Sequence, residues 1–233
     1  MNFVFYTHSD YSDIWPVLKA QTDKYLPHQN KILFTNEGSI DGWESITYDD
    51  SLSYRDRVVS CLEQLTCETI VFNHEDMFLY DAPNLGKLEE FEALVESDTY
   101  HFIKLLRNES PTAIGYPSST DNLLDAPPSF VFTIQPTICK VKNLITMYSE
   151  TDGGTIWEFE ANTGSTSSKF KLKGAMIYDE DSPKRGLYHW DSSIYPYVAT
   201  AVVKGKWNLG EYEEELDPIL KDNKINVEDR GTV

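Results

Sequence analysis

The chain has 233 residues, enough for one sizeable core, and its 40% hydrophobic and 13% aromatic content excludes an intrinsically disordered chain. Its 38 Asp and Glu against 20 Lys and Arg leave a net charge of -18, which argues against nucleic acid as a main partner, because phosphate binding draws on clustered Lys and Arg. Met1 to Tyr6 runs straight into a strand with no basic leader, and no apolar run reaches the ~18 residues of a membrane span, so a soluble, cytoplasmic chain without a transmembrane segment is expected.

Asn2 to Tyr6 reads as a short strand, Thr7 to Asp13 as a polar loop with cap residues, and Ile14 to Tyr25 as a helix. Lys31 to Thr35 and Ser45 to Tyr48 repeat the strand signal, the first broken by Asn36-Glu37-Gly38-Ser39. A helix opened by Ser51 or Ser53 carries Val58, Val59, Leu62 and Leu65 at helical spacing and feeds the apolar strand Thr69 to Phe72. A further amphipathic helix spans about Asn84 to Glu96. Strands alternating with helices predict a single α/β domain built on a mainly parallel, doubly wound, Rossmann-like sheet flanked by helices.

The second half is less regular. Strands are expected at His101 to Leu106, Ser129 to Ile134 and Tyr195 to Val203, and a helix at Pro136 to Ser149. Asn162 to Ser168, rich in Gly, Ser and Thr, reads as a mobile loop over a site. Residues 1–209 form the expected domain, and 210–233, with Glu211, Glu213, Glu214 and Glu215, an acidic tail or helix. Cys61, Cys67 and Cys139 lack metal-ligand spacing and read as reduced thiols.

In such sheets ligands bind at the carboxyl ends of the strands, which singles out loops 7–13, 36–39 and 73–76. The sharpest feature is His74-Glu75-Asp76, where two adjacent carboxylates and an imidazole end an apolar strand. Acids buried at such a point need a cation or a hydrogen-bonding ligand, and Mg²⁺ or Mn²⁺ bridging a carboxylate to a diphosphate suits hard oxygen donors. Acids that simply face water are the other reading of this segment.

The segment resembles the metal- and donor-binding motif of GT-A glycosyltransferases, whose usual Asp-X-Asp also follows an apolar strand, although here Glu75 and Asp76 are adjacent. A group of bacterial and viral GT-A-like proteins, often linked to surface polysaccharide or lipopolysaccharide synthesis, is similar over an ordered set of blocks. These are Tyr6 to Trp15, Thr35 to Glu37, Tyr54 to Leu62, Glu75 to Leu79, Gln135, Trp157 to Glu160 and Gly205 to Trp207. The resemblance implies a GT-A-like fold and transfer of a sugar, with inversion, from a UDP- or GDP-sugar donor to a glycan or lipid-linked acceptor. It places Thr7, Tyr11, Asn36, Arg57, Glu75 and Asp76 around the donor, with Asp76 on the metal, Mn²⁺ or Mg²⁺.

Trp157-Glu158-Phe159-Glu160 opens a short helix in this reading, so Glu158 and Glu160 diverge at ~100° per residue and one of them, Glu160, faces the cleft as the base that deprotonates the acceptor hydroxyl. Trp157 and Phe159 as core anchors with exposed glutamates is the competing view. Lys204-Gly205-Lys206 is a compact basic patch after a predicted strand, where Lys204 or Lys206 would stabilise a departing diphosphate and Gly205 would admit a close phosphate. Arg55 and Arg57 diverge on their helix, and the resemblance points to Arg57. His8 and His189 carry no assigned role.

No Gly-x-Gly-x-x-Gly, Walker or Gly-x-Ser-x-Gly motif is present, which argues against dinucleotide oxidoreductases, P-loop enzymes and Ser hydrolases. Two alternatives stay open: a non-catalytic glycan- or nucleotide-binding protein, and a sugar nucleotidyltransferase, whose usual Gly-rich basic loop after the first strand is missing from Thr7 to Asp13.

Overall fold

The computed structural model describes residues 1–107, 122–178, 184–185 and 189–233. The first half follows the alternation read from the sequence: β1 (Asn2–Tyr6), α1 (Trp15–Tyr25), β2 (Asn30–Thr35), β3 (Glu44–Thr47), α2 (Tyr54–Leu62), β4 (Thr69–His74) and α3 (Leu85–Glu96). Local chemistry sets these boundaries. The Ser53 side chain accepts from the Asp56 backbone N–H to cap α2, Asn84 does the same for α3 through Lys87, and Pro16 stands in the first turn of α1, where its missing N–H costs nothing.

The second half contributes β5 (Phe102–Arg107), β6 (Leu123–Ala126), β7 (Thr137–Lys140), α4 (Val141–Glu150), α5 (Ile156–Phe170), β8 (Gly174–Ile177), the two-residue β9 (Lys184–Arg185) and β10 (His189–Trp190), β11 (Val202–Val203), β12 (Lys206–Trp207) and α6 (Leu209–Asp222). The main sheet runs β3-β2-β1-β4-β7-β5-β10-β9, with β8 pairing β5 and β6. β3, β2, β1 and β4 are mutually parallel, as are β5 and β8, and β7 is inserted antiparallel between β4 and β5. The result is a mainly parallel Rossmann-like sheet flanked by helices.

Side-chain alternation along the strands divides the interior in two. Phe3, Phe5, Leu33, Val71 and Ile103 pack on one face with α1, α3 and α6. Val4, Tyr6, Phe34, Phe72 and Phe102 pack on the other with α2, α4 and Phe159 of α5. The register pairs Tyr6 with both Phe34 and His74, which aligns the carboxyl ends of β1, β2 and β4 at one edge.

Four expectations need correction. Residues 162–168 are not a loop but the middle of α5. The Ser and Thr hydroxyls there bond back along the helix, Thr163 to the Glu160 carbonyl and Ser167 to the Thr163 carbonyl, each at 2.8 Å. Gly164 lies so close to the 3-10 turn Pro128–Phe130 that an added Cβ would stand 3.0 Å from the Ser129 Cα. A composition that signals a loop therefore serves close packing.

Ser129 to Ile134 forms that turn and irregular chain rather than a strand, and the expected helix from Pro136 begins only at Val141, after β7. Tyr195 to Val203 is mostly irregular, joined to Leu79 by a single bridge at Tyr197 before β11. The residues after 209 fold back: α6 buries Tyr212, Leu216, Ile219 and Leu220 in the core, and the Trp207 carbonyl accepts from the Val233 N–H.

Candidate functional site

At the carboxyl end of β4 the chain turns through His74, Glu75 and Asp76 and then runs beside residues 194–202. Backbone N–H groups of Val198, Ala201 and Tyr80 bond to carbonyls of Phe78, Asp76 and Pro196 at 2.8, 3.0 and 3.1 Å. Buried Asn73 ties the same two segments, donating to the Val4 and Val71 carbonyls and accepting from the Tyr195 hydroxyl at 3.1 Å. The acids are thus held from both sides.

Asp76 and His74 line a cleft of about 710 Å³, together with Lys104, Gln135, Trp157, Glu160 and His189. The volume is within the range of small-molecule sites. β4, β5, the 128–135 segment, the first turn of α5 and the start of α6 each contribute to its wall.

Glu75 and Asp76 keep some accessible surface yet are densely surrounded, and neither forms an ion pair within 4 Å among the described residues. Burial pushes the Glu75 carboxyl well up, and the neighbouring Asp76 charge adds to it, with Arg230 opposing. Asp76 is also raised by burial, offset by the Val202 N–H that its Oδ2 accepts at 3.3 Å. Two desolvated, mutually repelling carboxylates fit a cation. Among the described residues no group of three His, Cys, Asp or Glu able to hold a metal occurs.

His74 belongs to the scaffold. Its Nε2 lies 3.2 Å from the Tyr54 hydroxyl, which in turn meets the Tyr148 hydroxyl at 2.9 Å. Rings of Tyr6 and Phe72 stand 5.4 and 5.8 Å away, and burial depresses the imidazole to about 4, leaving it neutral.

Glu158 and Glu160 diverge as their spacing predicts. Glu158 Oε2 accepts from the Gly154 and Thr155 N–H groups at 3.0 and 3.1 Å while Thr155 Oγ1 accepts from the Glu158 N–H, a capping box that starts α5. Glu160 faces the cleft, its Oε1 accepting from the Ile134 N–H at 2.8 Å and its Oε2 without a partner among the described residues. Phe159 is a core anchor, whereas Trp157 is 78% exposed at the cleft rim.

The expected donor residues lie around the ends of β1 and β2. Thr7 is fully buried, its hydroxyl accepting from the Trp15 indole at 3.0 Å. Asn36 bonds to Ser9, accepting its N–H at 2.8 Å and donating to its hydroxyl at 3.0 Å. Both side chains are committed to holding loop 7–13, and neither lines the cleft. Arg57 pairs with Asp50 at 2.8 Å and lies over the Tyr48 ring. Arg55 instead turns to the Thr151 carbonyl.

Tyr11 carries the Arg230 guanidinium 5.0 Å from its ring centre. Arg230 also donates Nε to Asp13 at 2.6 Å and Nη1 to the Gly205 carbonyl at 3.2 Å. Lys204 and Gly205 form the two-residue tip of the β11–β12 hairpin, with φ of 51° and 79°, a conformation that suits glycine at the second position. Lys204 and Lys206 are exposed beside Arg230 and outside the cleft lining, and Trp207 is buried.

Two site residues escaped sequence reading. Lys104 is wholly buried on β5, lines the cleft, and among the described residues has no hydrogen-bond partner for Nζ. Burial lowers its amine to about 7, with Glu160 opposing the shift. The signal was present: one cation inside the apolar run Phe102-Ile103-Lys104-Leu105-Leu106. Arg230 gave none, because only the fold brings residue 230 to loop 7–13.

No protein-family model matches the chain, and no curated protein matches it by sequence. Solved structures share its fold. Apo UDP-glucose pyrophosphorylase aligns with a TM-score of 0.55 at 8% identity, covering 96% of this chain and 98% of that one. UDP-glucose pyrophosphorylase complexed with UDP-glucose gives 0.52 at 6%, covering 83% and 92%. The galactosyltransferase LgtC, in complex with donor and acceptor sugar analogs, gives 0.43 at 13%, covering 76% and 73%. At these identities the likeness is one of architecture alone: a single-domain Rossmann-like fold shared with UDP-glucose pyrophosphorylase. No helix among the described residues is long and apolar enough to cross a membrane.

Proposed function

We propose that the chain is a glycosyltransferase that moves a sugar from a nucleoside-diphosphate donor to a glycan or lipid-linked acceptor. The observation that carries this reading is that Asp76, just past the end of β4, and Glu160 of α5 line one cleft at the carboxyl edge of a GT-A-like sheet.

In this mechanism the nucleoside lies near Tyr11, over loop 7–13 as Thr7 and Asn36 hold it, with Arg57 at its edge. Asp76, seconded by Glu75, would hold Mn²⁺ or Mg²⁺, which when bound neutralises diphosphate charge. Arg230, Lys204 and Lys206 face the leaving diphosphate from the hairpin side and stabilise its developing charge. Glu160, with Oε1 fixed by the Ile134 N–H, uses its unpartnered oxygen to take the acceptor hydroxyl proton as that oxygen attacks the anomeric carbon.

A sugar nucleotidyltransferase is the second reading, favoured by the near-complete overlap with UDP-glucose pyrophosphorylase. Against it, loop 7–13 offers Asp10 and Asp13 and no Lys or Arg to receive a triphosphate. Thermal melts with UDP or GDP plus Mn²⁺ test the proposal: the melting temperature rises in the wild type and not in Asp76→Ala. Absence of a shift with every nucleotide contradicts it, and pyrophosphate release from a nucleoside triphosphate and a sugar phosphate favours the second reading.

A further inference from the structure

Lys104 sits on a central strand, between β7 and β8, with none of its surface exposed. A lysine stem normally carries its ammonium out to water, and here the strand on either side closes that route. Its Nζ reaches the cleft, 5.5 Å from the Phe130 ring centre, with no hydrogen-bond or ion-pair partner among the described residues. A second donor faces the same cleft: the Thr133 hydroxyl is shielded from solvent and likewise unpartnered.

Unpaired buried polar groups are costly, and an apolar residue would suit β5 better, so two of them on one cavity mark the place of a ligand. Both can donate, and the amine is a cation once an anion is seated against it. Phe130, Ile134 and Leu106 give the neighbouring surface an apolar character, and exposed Trp157 offers a ring platform at the rim. In a chain of net charge -18, an anion is held only where such a local cation is provided.

We propose that Lys104 and Thr133 receive a compact anionic group, a carboxylate or phosphate, carried on the sugar ring of the second substrate. The inference rests on the donor and acceptor roles above and specifies the acceptor as an acidic sugar. Glu160 and Lys104 flank the same space, so an anion anchored at Lys104 sets the acceptor hydroxyl against Glu160, while the donor diphosphate stays on the Arg230 side of Asp76.

The test is ligand-observed NMR titration of D-glucuronate, D-glucose 6-phosphate and D-glucose, with UDP titrated in parallel. At least one anionic sugar binds the wild type tenfold or more tightly than glucose, and the arm that does so tells carboxylate from phosphate. Lys104→Met reduces that affinity to the glucose level, Thr133→Val weakens it at least threefold, and UDP affinity stays within twofold in both. Equal binding of glucose and both anions, or a preference that survives Lys104→Met, overturns the proposal. Anion preference lost in Lys104→Met without any UDP binding upholds the anion site and refutes the donor reading.

Discussion

Asp76 accepts the Val202 backbone N–H through Oδ2 at 3.3 Å, joining the end of β4 to the β11–β12 hairpin across 126 positions of sequence. Asp76→Asn keeps an oxygen for that bond and removes the charge that repels Glu75. The variant is expected to match or exceed wild-type stability in denaturant melts, by about 0.5–1 kcal/mol, while losing the nucleotide-dependent shift. Stability and binding then move in opposite directions, as expected where an acid is retained for a ligand.

Lys104 supplies a pH test. Its amine titrates at about 7 in the folded chain against 10.5 when free. Between those values the unfolded chain holds the proton and the folded chain does not, so stability rises with pH through the window and the penalty is complete below it. Lys104→Met removes the penalty. The variant is therefore more stable than wild type at pH 6, and the gap closes toward pH 10, by at most about 1.4 kcal/mol per pH unit. Paired chemical melts at several pH values measure it.

Gly164→Ala should destabilise although alanine is the better helix former. Its Cβ would meet Ser129 backbone at 3.0 and 3.4 Å, and the 3-10 turn must yield. A loss of about 1–3 kcal/mol is expected. Gly86→Ala, whose nearest neighbour is the Asn84 Oδ1 at 3.6 Å, should be neutral or gain about 0.5 kcal/mol, and thermal melts compare the two.

Arg230→Ala frees Asp13, the Tyr11 ring and the Gly205 carbonyl at once. Asp13 is half exposed, so water screens the pair and the stability cost is about 1 kcal/mol or less. Nucleoside-diphosphate affinity should fall about tenfold, read by titration calorimetry, because the change removes a cation whose charge acts on Glu75.

The elements up to α3 were legible because each carries its own period and cap, from the Val58 and Leu62 spacing to Ser53. His74-Glu75-Asp76 stood out because acids end an apolar strand, and the 100° turn separated Glu158 from Glu160. The rest depends on contacts distant in sequence. α5 was hidden because Gly164 answers to a turn some thirty-five residues earlier while the Ser167 hydroxyl bonds back to the Thr163 carbonyl, neither of which composition encodes. The strands β6 and β7 are four residues each and are fixed by pairing with β8, β4 and β5, whereas the apolar run Ser129 to Ile134 is apolar because it lies under α5. Trp157, a core anchor only in the competing view of its segment, is the exposed rim of the cleft.

The central claim is sugar transfer with Glu160 as base in the cleft that Asp76 lines. Its most direct measurement is release of nucleoside diphosphate from a panel of UDP- and GDP-sugars with Mn²⁺ and a mixed acceptor pool, wild type beside Glu160→Gln. Acceptor-dependent release by the wild type is expected with at least one donor, reduced about 10²-fold or more in Glu160→Gln with donor affinity unchanged. Equal rates in the two proteins, or no release with any donor while pyrophosphate forms from a nucleoside triphosphate and a sugar phosphate, would contradict it.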